Sequence, residues 1–214
     1  MKKIKFLLLS TTILGFASCG SNTTQTEETP TAETPVVEPI VEGDTYGVDV
    51  SASKVNWLGK KIIGDDNHDG TIDLSSGSLK VAEGALVGGE FVVDMTTIKN
   101  NDLASDEEKA QLVGHLSNGD FFTVDSFPTA SFVITSATPE NVTGNLTIKG
   151  KTAEASFPYT ITIEEGTVTA KGQLVFDRTK YGVIYGSGNF IADLAKNKVI
   201  DDNIYLDIEL IATK

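Results

Sequence analysis

Few side chains in this sequence combine the types and spacings that chemistry needs. His68 and His115 are its two histidines, too few for the usual zinc set unless carboxylates join from elsewhere. Each reads as a surface histidine. Asp65-x-Asn67-x-Asp69-Gly70-x-Ile72-Asp73 has the alternating oxygen ligands and the turn glycine of the first half of a calcium loop. Ser76 stands where that loop needs a bidentate Glu, and no helix pattern flanks the motif, so an Asp/Asn/Gly hairpin loop over 64–70 is the plainer reading. The adjacent acids Glu164-Glu165 and Asp201-Asp202 sit beside turns and read as solvated, not as an acid/base pair with separated pKa values. No Gly-x-Ser-x-Gly elbow, phosphate-binding glycine loop or His-Glu-x-x-His pair occurs. The expectation is a protein that is not an enzyme, with no cofactor and no metal.

What the sequence does concentrate is aromatic surface. Gly119 to Phe132 holds Phe121, Phe122, Phe127 and Phe132, four of the ten phenylalanines. If Phe121-Phe122 is extended, its rings point to opposite faces, and at least one must be covered. After Pro128, Ala130, Phe132 and Ile134 alternate with polar or smaller neighbours, the period of a strand. The same alternation marks Val55 and Trp57, Ile72 and Leu74, Phe91, Val93 and Met95, Leu146 and Ile148, Phe157 to Ile163, Leu174 and Phe176, and Leu206 to Leu210. Gly88-Gly89 punctuates the run before Phe91. One segment has another rhythm: Ser105-x-x-Glu108 is a capping box followed by Leu112, Val113 and Leu116 at helical spacing, which predicts a helix over 106–116. It would lie at one end of a β architecture, either restricting an entrance or plugging that end. Many short, evenly spaced strands fit an antiparallel barrel or a sandwich.

The chain has 214 residues, 40% of them hydrophobic and 22% charged, enough for one domain with a sizeable core. Lys2, Lys3 and Lys5, then the apolar run Phe6–Phe16 and the small pair Ala17-Ser18, read as a signal peptide over 1–18. The single cysteine, Cys19, follows at once and resembles the lipidated cysteine of a bacterial lipoprotein, although Phe16 stands where that pattern usually has Leu. Acylation at about 0.8 kcal/mol per buried CH₂ would anchor it stably. Residues 19–42 are rich in Thr, Glu and Pro and read as a tether reaching about 25 to 30 Å. The net charge is −13, which argues against nucleic-acid binding and against electrostatic docking on anionic surfaces.

An ordered set of motifs across residues 45–213 resembles the YceI-like family. It comprises Tyr46-x-x-Asp49, Val55-x-Trp57, Gly88-Gly89-x-Phe91-x-Val93-Asp94-Met95 with Ile98, Asp120-Phe121-Phe122, and Phe127-Pro128-x-Ala130-x-Phe132. Val142-x-Gly144-x-Leu146-Thr147-Ile148-Lys149-Gly150, Arg178-x-x-Tyr181-Gly182 and Ile204-x-Leu206-x-Ile208-x-Leu210 complete it. The resemblance implies a mainly β fold over 43–214, an antiparallel lipocalin-like barrel of about eight strands with one or two short helices. It implies an envelope protein, and with the Cys19 anchor expected above a lipoprotein, periplasmic or on the outer membrane, that carries or stores a long-chain amphiphile: a polyisoprenoid, an isoprenoid quinone, or a fatty acid or amide. Homodimers occur in the family, so a dimer stays open. At matching positions the cavity residues are Trp57, Phe91, Phe121, Phe122, Phe132, Leu146 and Phe176. Arg178 either meets a polar head group or pairs with Asp177 or another carboxylate at the barrel rim. The competing reading is a ligand-free interaction module with a filled core, because a barrel of this size does either.

Overall fold

Alternation of apolar and polar side chains runs through most of residues 44–213, and each run becomes a strand. A computed structural model describes residues 42–214; the expected signal segment, Cys19 and the tether up to residue 41 lie outside the described residues. In chain order come β1 (Asp44–Val48), β2 (Lys54–Lys60), β3 (Asn67–Ala82), β4 (Ala85–Asn100), α1 (Asp106–Ser117), β5 (Thr129–Ala137), β6 (Asn141–Ile148), β7 (Lys151–Glu164), β8 (Thr167–Asp177) and β9 (Asn203–Thr213). All pairings are antiparallel, and β3 bonds both to β4 and to the β1/β2 side, so the sheet closes on itself.

Nine strands make eight staves. β1 pairs with Ser78–Val81 of β3 and with the end of β9, while β2 pairs with Asn67–Ile72 of β3 and with Tyr205–Glu209 of β9. The two are halves of one stave. Between them the Asp49 carboxylate accepts the Ser51 and Ala52 N–H groups at 2.9 and 3.1 Å and makes the break. Every stave finds both neighbours between Asp44 and Thr213, so residues 42–214 contain everything that the closed sheet pairs. The sixteen-residue strands β3 and β4 bend around the wall at three register shifts, which also switch the inward parity from Ile72 and Leu74 to Leu79 and Val81.

The two ends differ. Glu83-Gly84 and Glu165-Gly166 both carry positive φ at each residue, the geometry of two-residue hairpins whose twist matches the strands. They close one end tightly. The long connections, 101–128 and 178–202, both emerge at the other end. There α1 begins at the expected capping box, the Ser105 hydroxyl accepting the Glu108 N–H at 3.2 Å, and runs one residue past the expected end. None of its residues is fully buried, so it covers that end without entering the core.

Three expectations change. The loop expected over 64–70 ends at residue 66, and Asn67 to Gly70 are strand, pairing with Trp57 to Lys60. Gly70 is therefore not a turn glycine: a Cβ there would overlap the Lys99 carbonyl and lie 2.7 Å from the Trp57 ring. Gly88-Gly89 lies inside β4 beside a register shift instead of ending a strand. Phe121-Phe122 is not extended, because it sits in stacked turns held by Phe121 N–H to Asn118 O, Phe122 N–H to Leu116 O and Val124 N–H to Ser117 O.

Candidate ligand cavity

Inward-facing positions of all eight staves enclose a cavity of about 530 Å³, within the roughly 300–1,000 Å³ of small-molecule sites. Trp57, Phe91, Phe121, Phe122, Phe132, Leu146 and Phe176, the seven apolar positions expected from sequence, all line it. They come from six different elements, so only closure of the barrel brings them together. The turns after α1 deliver both Phe121 and Phe122 to the same space, their ring centroids 6.4 Å apart, and Lys149 Nζ fastens that segment by donating to the Phe121 carbonyl at 2.8 Å.

The lumen stays open because of where the rings lie. Gly77, Gly144 and Gly172 occupy inward positions, and a Cβ at each would come 2.8 Å from Phe91, 2.5 Å from Phe132 and 2.8 Å from Phe157 respectively. Each phenyl ring thus rests on a bare glycine of a neighbouring stave and lines the wall rather than crossing the axis. Small inward residues Ala130 and Ala170 leave further room. This is a hollow interior, not the filled core of the competing reading.

Arg178 also borders the cavity, but its guanidinium is committed. It is fully buried. Nε donates to Asp201 O at 3.0 Å, Nη1 to Val183 O and Tyr185 O at 2.9 and 2.8 Å, and Nη2 to Ile200 O and Asp202 Oδ1 at 3.3 and 3.4 Å. All five N–H groups have acceptors, so none is left for a head group. Burial draws its pKa down from the ordinary value, against the opposing pull of Asp202, Asp177 and Asp201. Of the two expectations for Arg178, pairing with a carboxylate is the one seen, with Asp202, and the guanidinium forms a clamp that ties the start of the 178–202 connection to its end.

Sequence reasoning missed several lining residues, among them Met95, Ile98, Tyr159 and His115. Tyr159 shares the parity of Phe157 and was legible. His115, expected on the surface, is half-buried: its ring packs edge-on to Phe121 and Tyr185, with centroids 4.9 and 4.8 Å away, and its Nε2 lies 3.2 Å from Asp120 Oδ2. Among the described residues every buried side-chain nitrogen and oxygen has a partner. The wall itself is mainly apolar. The described residues do not group three or more His, Cys, Asp or Glu side chains around a metal-sized space.

The family model described as YceI-like domain matches residues 46–212. A UPF0312 protein of Staphylococcus aureus (strain MRSA252) is 51% identical over 43 residues, which are 20% of this chain. That alignment spans only 25% of the relative's length. Among solved structures, Burkholderia cenocepacia BcnA superposes with a TM-score of 0.61 at 24% identity, over 78% of this chain and 99% of its own, a likeness of fold. A Campylobacter jejuni YceI protein aligns at 17% identity with a TM-score of 0.48, over 70% of this chain and 82% of its own.

Proposed function

The chain belongs to the YceI-like domain family, and from that membership we propose that its barrel carries or stores one long-chain amphiphile of the cell envelope, a polyisoprenoid or isoprenoid quinone. The observation that carries this reading is the hollow apolar lumen of about 530 Å³ walled by aromatic rings. Each buried CH₂ of a guest contributes about 0.8 kcal/mol before ordering costs, so affinity comes from the chain and not from its head group. A mainly apolar wall discriminates weakly among such chains, and a fatty acid or amide of similar girth would also enter. Attachment through Cys19 would hold the carrier at the membrane that supplies its guest.

Native mass spectrometry of residues 42–214, purified without detergent and then solvent-extracted, tests the proposal. A stoichiometric hydrophobic adduct supports it and names the lipid class. No adduct, together with no uptake of added isoprenoid quinone or fatty amide, returns the domain to the interaction-module reading. Palmitate labelling of the full chain in its host, compared with Cys19→Ser, tests the anchor.

A further inference from the structure

The polar part of the cavity wall gathers at the open end, around the β2–β3 turn, where Lys60, Lys61, Asp66, Asn67 and His68 all border the lumen. The charged ones are occupied. Lys61 Nζ lies 2.6 Å from Asp66 Oδ2, and Lys60 Nζ stands over the Tyr205 ring at 4.3 Å. His68, the other histidine expected at the surface, is placed differently. It precedes Gly70 and Ile72 on β3 by two and four residues, within an unbroken stretch of pairing, and so shares their inward face. Directly across the ladder is Gly59, which presents no side chain, and a Cβ there would meet only Ile204 Cδ1 at 3.7 Å. The imidazole therefore has open lumen beside it.

One nitrogen of the ring is fixed from behind. His68 Nδ1 lies 2.9 Å from Asp102 Oδ2, while the other oxygen of that carboxylate accepts the Asp69 N–H at 3.0 Å and the Asn100 side-chain amide. Asn100 is itself buried, and its Oδ1 takes the Leu103 N–H at 3.1 Å, so the support is held on every side. A carboxylate only accepts, so Nδ1 carries the proton and donates it. In a ring with one proton the tip nitrogen, Nε2, is then a bare acceptor, and among the described residues it has no hydrogen-bond partner. At His115 the tip nitrogen already faces Asp120 at 3.2 Å. We infer that His68 Nε2 accepts a hydrogen bond from the head group of the guest, so that the barrel favours a polyisoprenoid ending in a hydroxyl over one ending in an ether or a quinone carbonyl. The latter two heads carry only acceptors and leave Nε2 unpaired. The chain still supplies most of the affinity, and His68 sets which end group is taken. The inference rests on the carrier reading above and narrows it to isoprenoid alcohols.

Trp57, the one tryptophan of the chain, lines the cavity, so its emission reads filling directly. Residues 42–214 are titrated at pH 8, where an imidazole is neutral, with geranylgeraniol and with its methyl ether, which share one isoprenoid chain. The ratio of the two affinities should favour the alcohol, and His68→Phe should lower that ratio about three- to tenfold, the worth of one neutral hydrogen bond. Comparing ratios cancels the different hydration of the two guests. Asp102→Asn, which keeps the ring but lets its proton move to Nε2, should lower the ratio as well; circular dichroism checks that both variants are folded. The inference is overturned if His68→Phe leaves the ratio as it was, including the case in which both affinities fall together, because the ring would then only fill space. A ratio unchanged in Asp102→Asn overturns the fixed tautomer on which the acceptor rests. Binding of both guests without a preference that depends on His68 removes the head-group contact and leaves the carrier, whereas binding of neither removes both.

Discussion

Replacing Arg178 with Met should cost far more in stability than in ligand affinity. The substitution keeps the side-chain length but deletes five donors, four of which serve the backbone carbonyls of Val183, Tyr185, Ile200 and Asp201. Removing one side of a buried charged network costs about 3–5 kcal/mol. The low end applies here, because the Asp202 contact is long at 3.4 Å and carbonyls freed in a connection regain water when it loosens. At about 2–4 °C per kcal/mol for a domain of this size, about 3 kcal/mol lowers Tm by about 6–12 °C. Thermal unfolding by circular dichroism reads the global effect, and hydrogen exchange of the amides in 183–202 reads the local one, which should accelerate. Arg178→Lys should recover little, since an ammonium cannot place donors around a planar fork. Melting within about 2 °C of the original, with unchanged exchange, would refute the clamp. So would normal stability with selective loss of affinity for a pyrophosphate-headed lipid, which would restore the head-group role.

Other perturbations follow from the same geometry. Ala170→Phe places a ring in the lumen; in a hollow barrel it should leave Tm nearly unchanged and abolish the hydrophobic adduct, whereas a filled interior would lose about 1–3 kcal/mol to overpacking. Gly70→Ala should destabilise by at least about 2 kcal/mol, because its Cβ has no space between the Lys99 carbonyl and the Trp57 ring, whose Nε1 donates to that carbonyl at 3.1 Å; urea unfolding measures it. Asp102 feels a burial that raises its pKa, outweighed by hydrogen bonds from His68, the Asp69 N–H and Asn100 that together hold it below the ordinary 3.8. Its folded-state pKa being depressed, its contribution is present above 3.8 and is lost as pH falls through the lowered value. The stability gap between the original and Asp102→Asn should therefore be open at neutral pH and shrink on acidification below that point, as urea unfolding at a series of pH values would show.

The parts of the structure that were legible in the sequence are those set by local periodicity. Period-two alternation gave the strands, and the Ser105–Glu108 box fixed the start of α1, because both depend only on residues within a turn or two. The register of a bulged strand is different: Leu74 and Leu79 point inward with opposite parity, and only the pairing with β4 reveals it. Gly70 looked like a turn residue because Asp, Asn and Gly cluster around it. Its role is set instead by a tryptophan and a carbonyl on two other strands. A carboxylate partner for Arg178 was legible, as the Asp202 pair shows, but its other four acceptors are backbone atoms of residues 183–201, and a carbonyl carries no sequence signature.

Whether the barrel is hollow is also written in pairs rather than in single residues. A count of inward phenylalanines argues for a filled core, and each of Phe91, Phe132 and Phe157 taken alone reaches far enough to obstruct the axis. Each instead has an inward glycine beside it, on β3, β6 and β8 respectively, and a ring that settles onto a bare Cα gains contact with the wall without occupying the lumen. An alanine at Gly144 would press on the Phe132 ring and on the Val133 carbonyl, each 2.5 Å from the added carbon, and of the two the ring is the freer to move. The displaced ring has the cavity as its free space. Gly144→Ala should therefore shrink or exclude the guest even though it alters no cavity-lining side chain, and native mass spectrometry of that variant separates the two ideas. Undiminished adduct would mean that the rings lie flat for another reason, and loss of adduct in a folded domain would make glycine placement the determinant of the empty lumen.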